Sequence, residues 1–244
     1  MGKIKLLGFF IDDCTYHELL KEIKNAIENR KGTHIITANA AMLTIAMQDE
    51  ELKKCLFDAD IITADGMSII WATKFLGFSL KERVTGIDSV WKIVKQAEEF
   101  NQKVFLLGAE QSVIKKVAEI FKNKFPNLHL VGYHNGYFEK DKDVIALIKR
   151  CHTDILLVGM GFSFQEKWIC KYKKILNVPV IMGIGGSFDV IAGKLIRAPL
   201  WVQKIGMEWF FRLVQEPKRL WKRYLITNTM FVYKVMKTKL TSKG

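Results

Sequence analysis

Short apolar runs alternate with longer amphipathic stretches along the chain as far as about residue 192. The apolar runs predict buried strands at 34–37, 61–62, 103–108, 128–132, 154–159 and 178–182. The stretches with apolar residues three or four positions apart predict helices at 40–57, 67–77, 87–100, 111–124, 143–151 and 164–174. This alternation predicts an α/β, Rossmann-like fold with a mostly parallel sheet and helices on both faces.

The first residues of the chain form an apolar piece that ends at Asp12 and Asp13. The piece is too short for a signal peptide and lacks a small-residue cleavage site, so it predicts a first strand. No apolar run approaches the length of about 18 residues that a membrane-spanning helix needs. The four cysteines have no CxxC spacing, which predicts a reducing compartment rather than a disulfide framework or a zinc site.

Positive charge is concentrated at the carboxyl-terminal end of the chain. Residues 194–244 hold 12 of the 38 Lys and Arg residues but only 2 of the 25 acidic residues, in a chain whose net charge is +13. A nearly neutral body with a basic tail predicts an anionic partner for that tail. We therefore predict a core over residues 1–194 and a basic appendage over residues 195–244.

The appendage contains a predicted amphipathic helix that begins at Pro217, a residue suited to the first helical position. Its apolar residues recur at spacings of three and four on one predicted stripe: Leu220, Trp221, Tyr224, Leu225, Phe231, Val232, Val235 and Met236. A basic helix of this kind with tryptophan at its rim is typical of a membrane interface, so an anionic membrane surface is the expected partner. Packing of the stripe on the core is the alternative. Nucleic acid is not expected, because the aromatic residues form no stacking platform.

Asp65 is the first candidate for a catalytic side chain. It directly follows the predicted strand 61–62 and precedes the predicted helix 67–77. Open α/β sheets hold their ligands at the carboxyl ends of the strands, which is where this carboxylate falls. The alternative is that Asp65 caps the helix after it.

A row of glycines favours a nucleotide-type ligand at the same edge, because backbone N–H groups in such turns can face a phosphate. The glycines at the predicted strand ends are Gly108, Gly132, Gly159 and Gly183. No GxGxxG with an acid about 20 residues on is present, which argues against a nucleotide-dependent oxidoreductase. Arg83 precedes a predicted helix and suits a diphosphate, with a solvated loop arginine as the alternative. The histidines are well separated and the Asp-x-Asp sequences at 58–60 and 141–143 favour structural roles, so no metal site or hydrolase triad is predicted.

A set of short motifs occurs along the chain in the order found in a known family. The motifs are Asp65-Gly-Met, Glu82-Arg-Val-Thr-Gly-Ile-Asp88, Gly159-Met-Gly161, Gln165-Glu-Lys-Trp168, Gly183-Ile-Gly-Gly-Ser-Phe-Asp189, Ala192-Gly-Lys-Leu-Ile-Arg-Ala-Pro199, Gly206-Met-Glu-Trp209 and Arg212-Leu-Val-Gln-Glu-Pro-Lys-Arg219. Over about residues 5–225 the chain resembles the WecG/TagA/CpsF glycosyltransferases, most closely the TagA type of wall teichoic acid synthesis. One departure is Ser163-Phe164, because family members usually have a proline shortly before the Gln-Glu pair.

The resemblance implies an inverting transferase that moves N-acetylmannosamine from UDP-ManNAc onto undecaprenyl-diphosphate-linked N-acetylglucosamine in a β-1,4 linkage. It implies a cytoplasmic enzyme that is peripherally associated with the inner face of the cell membrane and needs no cofactor and no obligatory metal. Its appendage is expected to close over the site at the membrane.

The resemblance also implies the site residues. Asp65 is the implied base, and the family's substrate-contact positions fall on Thr37, Asn39, Arg83 and Gln165. The further candidate substrate-binding residues are Gly108, Ala109, Gly136, Tyr137, Glu166, Gly185 and Asp189. The candidate contacts for the lipid diphosphate are Arg212, Arg219 and Arg223.

Three alternatives stay open at this point. Within the family, the donor could be UDP-N-acetylmannosaminuronic acid or UDP-glucose. Outside it, a non-enzymatic basic membrane-binding protein would need only the appendage. A homo-oligomer that buries the apolar stripe off the membrane also remains open.

Overall fold

The computed structural model describes residues 1–241, and the last part of the predicted appendage, residues 242–244, lies outside the described residues. The strands are β1 (Gly2–Leu6), β2 (Phe9–Asp13), β3 (Thr33–Ala38), β4 (Ile61–Ala64), β5 (Val104–Gly108), β6 (Leu130–His134), β7 (Ile155–Gly159) and β8 (Val180–Gly183). The helices are α1 (Tyr16–Glu28), α2 (Ala40–Ala46), α3 (Glu50–Phe57), α4 (Met67–Leu76), α5 (Gly86–Glu99), α6 (Gln111–Lys124), α7 (Asp141–Arg150), α8 (Phe164–Leu176), α9 (Ser187–Ile191), α10 (Leu200–Lys204), α11 (Glu208–Gln215) and α12 (Pro217–Thr241).

The strands from β3 to β8 form one sheet in the order β4-β3-β8-β7-β5-β6, and every neighbouring pair in it is parallel. Successive side chains of a strand point to opposite faces. Ile35 and Leu157 therefore pack with α1, α5 and α6, whereas Ile36 packs with α2 and α4, and Leu156 packs with α7 and α8. Helices cover both faces, so the predicted parallel α/β fold is confirmed, and burial on both faces explains the continuous apolar runs.

The predicted first strand is one arm of a separate antiparallel hairpin, β1-β2, which does not join the six-stranded sheet. Leu7 and Gly8 have φ angles of 51° and 91°, the left-handed pair that a tight two-residue hairpin turn requires. Asp12 in β2 accepts a hydrogen bond from the N–H of Ile62 in the edge strand β4 (2.8 Å). The hairpin therefore covers one edge of the main sheet.

The single helix predicted over 40–57 is wrong, because the chain forms two helices there, α2 and α3. Asp49 lies between them, and its side chain accepts from the N–H of Leu52 (3.0 Å) as the N-cap of α3. Aspartate stabilises a helix start far better than a helix interior, which accounts for the break. Helix α1 lies outside the predicted elements, although Thr15 and Glu18 form the capping box that marks its start.

Helix α12 of the predicted appendage packs along α2 and α4. Phe231 and Val235 are buried in the cluster that includes α2 and α4, and Leu220 is fully buried. Four other predicted stripe residues lie outside this buried face of the helix. Trp221, Leu225, Val232 and Met236 are 49–63% exposed. The single stripe is therefore two apolar faces of one helix, one packed on the core and one uncovered. Within residues 1–241, no helix is both long enough and apolar enough to cross a membrane.

Candidate active site

Asp65 lies at the carboxyl end of β4, in the turn that leads to α4. Its N–H donates to the carbonyl of Ala38 at the end of β3 (2.9 Å), and its Oδ1 accepts from the N–H of Gly86 at the start of α5 (3.2 Å). The N-cap of α4 is Gly66, and no side-chain hydrogen bond caps that helix. The helix-cap alternative for Asp65 is therefore wrong, because its carboxyl group faces the start of a different helix.

Burial is the largest influence on the pKa of Asp65 and raises it above the ordinary value. The positive charge of Arg83 opposes this rise, the carboxylate of Glu208 adds to it, and the N–H of Gly86 and the charge of Arg212 oppose it more weakly. A carboxyl group with a raised pKa is better matched to proton transfer near neutral pH. The environment of Asp65 therefore fits a general base.

Arg83 connects Asp65 to the appendage. Its Nε donates to the backbone carbonyl of Asp65 (2.6 Å), and its Nη2 forms an ion pair with the carboxylate of Glu208 in α11. Both side chains are largely buried, at 19% and 27% exposure. The predicted diphosphate-binding arginine thus lies beside the predicted base, and a carboxylate from the appendage already neutralises it.

Thr37 and Asn39 lie at the end of β3, next to Asp65. The hydroxyl of Thr37 donates to the carbonyl of Gly183 at the end of β8 (3.1 Å), which joins two adjacent strand ends. The side chain of Asn39 accepts from the N–H of Met42 (3.0 Å) and is the N-cap of α2. Both residues therefore have structural hydrogen bonds in addition to their predicted substrate contacts, and those contacts stay predictions.

Arg212 of α11 reaches the turn formed by residues 183–186, here named the 183–186 turn. Its guanidinium lies against Gly186, close to the carboxylate of Asp189 in α9. The charge of Arg212 also reaches Asp65, whose pKa it lowers, and it opposes the burial that raises the pKa of Asp189. The appendage therefore places one of its predicted arginines at the carboxyl edge of the sheet.

The other two appendage arginines have different surroundings. Arg219 is exposed and pairs with Glu216, one turn before it in sequence. Arg223 is half-buried, and its guanidinium lies 5.8 Å from the ring centre of Phe162 in the loop after β7 and 5.3 Å from that of Tyr224. Arg212 shares the Glu216 carboxylate with Arg219, since its Nε lies 3.9 Å from the same oxygen of Glu216, so these two arginines lie together and Arg223 has separate partners.

Gln165 and Glu166 lie in the first turn of α8 and are almost fully buried. Gln165 accepts from the N–H of Gly185 (3.1 Å), and Glu166 accepts from Gln165. Direct contact of Glu166 with a substrate stays a prediction, and the structure gives its carboxyl group internal partners instead. Ser163 just before α8 has a φ angle of 75°, which a proline ring forbids, so a proline at that position needs a different loop.

The remaining candidates form a second group at the ends of β5 and β6. The N–H of Ala109 donates to the carbonyl of Gly159, and that of Gly136 donates to the carbonyl of Ala109, both at 2.9 Å. Tyr137 is 78% exposed beside them. Gly108 has a φ angle of 138° and no room for a Cβ against the backbone of Gly159, so only glycine fits there.

Lys194 spans the distance between the two groups. Its Nζ pairs with Glu110 (2.8 Å), which follows Ala109, and lies 3.8 Å from Asp189. The candidate residues are therefore distributed along one continuous edge of the sheet, with Asp65 towards one end and Tyr137 towards the other. A nucleotide sugar has the extended shape that such an edge accommodates.

Two ion pairs at this site were not predicted from the sequence. One joins Glu208 to the candidate residue Arg83. The other is Asp88, which accepts two hydrogen bonds from Arg197 (2.7 Å each) and one from Thr85 (2.8 Å). Asp88, Arg197 and Glu208 all lie inside motifs noted in the sequence, but only the fold reveals that they pair across more than 100 positions. The two pairs fasten the appendage to the core on either side of α10.

The described residues contain no group of three or more His, Cys, Asp or Glu side chains that could hold a metal ion. The two Asp-x-Asp sequences make structural contacts. Asp60 accepts from the N–H of His34 (2.8 Å), and Asp141 accepts from Trp168 (2.7 Å) and Tyr172 (2.8 Å).

A parallel α/β sheet with a half-buried carboxylate and two arginines at its carboxyl edge fits a nucleotide-sugar transferase. The chain belongs to the glycosyl transferase WecG/TagA/CpsF family, which it matches over residues 4–244. The predicted resemblance is confirmed.

Curated relatives carry a more specific name. A protein of Staphylococcus aureus strain MW2, named N-acetylglucosaminyldiphosphoundecaprenol N-acetyl-beta-D-mannosaminyltransferase, is 32% identical over 241 residues, which cover 98% of this chain and 94% of that protein. Proteins of the same name from Bacillus subtilis strain 168 and Bacillus spizizenii are 33% and 34% identical. These alignments cover 83% and 82% of this chain and 78% and 77% of the two proteins.

Proposed function

We propose that this chain transfers N-acetylmannosamine from UDP-ManNAc to undecaprenyl-diphosphate-linked N-acetylglucosamine, with inversion at the anomeric carbon. The observation that carries the proposal is the carboxyl group of Asp65, which has a raised pKa and lies near Arg83 of the core and Arg212 of the appendage. The names of the relatives support the identity of the sugar and of the lipid-linked acceptor.

In the proposed reaction, a hydroxyl oxygen of the acceptor sugar attacks the anomeric carbon of the donor. Asp65 takes the hydroxyl proton as the new carbon–oxygen bond forms, and the bond to the diphosphate breaks with its electron pair leaving on UDP. A single displacement of this kind inverts the anomeric centre and needs no covalent intermediate. Arg83 and Arg212 would stabilise the negative charge that grows on the departing diphosphate.

We further propose that the appendage rests on an anionic membrane surface, where the lipid-linked acceptor resides. Its uncovered apolar side chains include the following, each 47–73% exposed: Ile196, Leu200, Trp201, Ile205, Phe210, Val214, Trp221 and Leu225. The exposed basic side chains among them are Lys204, Lys218, Arg219 and Lys222. Apolar residues interspersed with cations fit the headgroup region of a bilayer, and a patch of this extent is unusual on a surface that faces only water.

The test is a transfer assay with the full chain, a short-chain diphospholipid carrying N-acetylglucosamine, and four donors: UDP-ManNAc, UDP-GlcNAc, UDP-ManNAcA and UDP-glucose. We expect product by mass spectrometry with UDP-ManNAc, in the presence of a chelator as well as in its absence. Asp65→Asn is the matched control for transfer that depends on the site. A stronger rate with another donor would replace the proposed sugar, and no transfer from any donor would reject the proposal.

A further inference from the structure

Three polar side chains are sealed together beneath the carboxyl edge of the sheet. His34, Gln165 and Glu166 are only 1%, 2% and 0% exposed. They belong to β3 and to the first turn of α8, and neither element is part of the appendage. Burial of polar groups costs free energy unless each finds a partner, so the partners of these three side chains need to be identified.

Two hydrogen bonds connect Glu166 through Gln165 to the 183–186 turn. Glu166 Oε1 accepts from Gln165 Nε2 (2.7 Å), and Gln165 Oε1 accepts from the N–H of Gly185 (3.1 Å). The backbone N–H can only donate, so the amide oxygen must face Gly185 and the amide nitrogen must face Glu166. The amide of Gln165 thus has one orientation, fixed by Gly185 on one side and by Glu166 on the other.

His34 lies on the far side of Glu166. Glu166 Oε2 lies 3.4 Å from His34 Nε2, and neither of these atoms has a hydrogen bond among the described residues. The backbone N–H of His34 donates to the Asp60 carboxylate (2.8 Å), which fixes this position of β3.

The pair is packed tightly on the turn that it supports. A Cβ on Gly183 would lie only 2.6 Å from the Glu166 carboxyl group and 2.8 Å from the Gln165 amide. In the same turn, the carbonyl of Gly183 accepts a hydrogen bond from the Thr37 hydroxyl, and Gly186 is in contact with the guanidinium of Arg212. A shift of the Gln165 amide would therefore move the surface that positions Arg212.

We propose that Glu166, which lies against His34, is a positioning residue that acts through Gln165 on the 183–186 turn and so places Arg212. This inference deepens the proposed transfer function and rests on it. Glu166 touches no reacting atom in the proposal. Its carboxyl group sets the orientation of an amide whose oxygen holds the turn.

The experiment compares Glu166→Met, which removes the acceptor at similar length, with Glu166→Gln, which keeps an oxygen to accept from Gln165. Glu166→Met should lower kcat by about 10- to 100-fold with little change in the donor KM, the scale on which a misplacement of about 1 Å acts. Glu166→Gln should recover about a third or more of the wild-type kcat, since an amide oxygen also accepts. Asp154→Asn is the matched control, because Asp154 also accepts from a backbone N–H, that of Lys103 (2.9 Å), but at the other edge of the sheet.

A double-variant cycle tests whether Glu166 acts through Gln165. If it does, Gln165→Met combined with Glu166→Met is no slower than Gln165→Met alone. The proposal would be overturned if the losses of kcat in the two single variants multiplied in the double variant. It would also be overturned if Glu166→Met had the kcat of the wild type. His34→Gln is the second variant in case Glu166→Met does not fold, with a smaller kcat loss expected and an unchanged kcat counting against the proposal.

Hydrogen exchange of the Gly185 amide, followed by NMR without any substrate, separates this inference from the proposed function. Exchange should be faster in Glu166→Met than in the wild type and unchanged in Asp154→Asn. If the wild type transfers no sugar but exchange at Gly185 still depends on Glu166, the proposed function fails and the positioning of the turn stands. Equal exchange in all variants rejects the positioning role, whatever the transfer assay gives.

Discussion

The contact between Arg212 and Gly186 allows the arginine to be displaced without altering it. Gly186 has φ −88° and ψ 24°, angles that alanine adopts without strain. A Cβ built on Gly186 would overlap Nη2 of Arg212 and lie 3.6 Å from its Cζ, whereas the nearest other atom, Asp189 Oδ2, is 3.8 Å away. The guanidinium is the end of a flexible side chain, so Gly186→Ala should expel Arg212 and leave the backbone in place.

The size of the effect follows from what Arg212 is proposed to do. A hydrogen bond to a charged group contributes about 1.5–3 kcal/mol, so its loss in the transition state lowers kcat/KM by about 10- to 150-fold. The free energy of unfolding should change by less than about 1 kcal/mol, because alanine restricts the unfolded chain and displaces only the end of one flexible side chain in the folded state. A large loss of activity with little loss of stability is the expected signature.

The assay is a cycle of kcat/KM values for Gly186→Ala, Arg212→Ala and the double variant, with unfolding by denaturant measured on each. The double variant should match Arg212→Ala, because alanine at 186 has nothing left to displace. Gly32→Ala is the control, since a Cβ on Gly32 meets no atom within 4 Å. Wild-type activity in Gly186→Ala, or losses that multiply in the double variant, would refute the placement of Arg212 at this turn.

Three further predictions concern the base, the attachment of the appendage and the membrane. Asp65→Asn should lower kcat by about 10²- to 10⁴-fold and leave UDP affinity by calorimetry nearly unchanged, because asparagine still accepts from Gly86. In the wild type, kcat should fall as pH drops through a pKa above the ordinary aspartate value, since burial raises that of Asp65. Arg197→Lys should lower the free energy of unfolding by about 1–2 kcal/mol, because it breaks the two-bond contact with Asp88. Trp221→Ser should lower the affinity for anionic vesicles, measured by flotation, by about tenfold. This is the size of effect expected when a large side chain is no longer partly buried in the bilayer.

Each of these has an outcome that contradicts it. If the Asp65→Asn variant retains turnover, Asp65 is not the general base. Burial alone raises the pKa of Asp88, but the hydrogen bonds from Arg197 and Thr85 lower it below the ordinary value, so the pair's contribution should be present at neutral pH and disappear on acidification. An Arg197→Lys stability difference that persists in acid would contradict that account.

Phe100→Ser is the control for vesicle binding, because Phe100 is similarly exposed (48%) but lies at the end of α5, outside the appendage. Equal losses of vesicle affinity in Trp221→Ser and Phe100→Ser would reject a specific membrane-binding surface.

The sequence predicted the sheet and the place of Asp65 because both depend on local patterns. A buried run followed by Asp-Gly and a helix puts a carboxylate at a strand end in any parallel sheet. The ion pair of Arg83 with Glu208 could not be predicted, since it joins positions 125 apart and depends on how the appendage folds back. The same holds for Glu166: first-turn acids usually face solvent and the helix dipole, and only the packing of α8 on β3 turns this one inward.

The two apolar faces of α12 also affect how the protein is oriented at a membrane. In three places a buried residue is followed directly by an exposed one: Leu220 by Trp221, Phe231 by Val232, and Val235 by Met236. Successive residues of an α-helix are rotated by about 100°, so the two faces are fixed roughly at a right angle. A bilayer that takes up the outer face would therefore also fix the roll of the whole sheet about the helix axis. The direction in which Asp65 faces the membrane would then be set by the helical repeat itself.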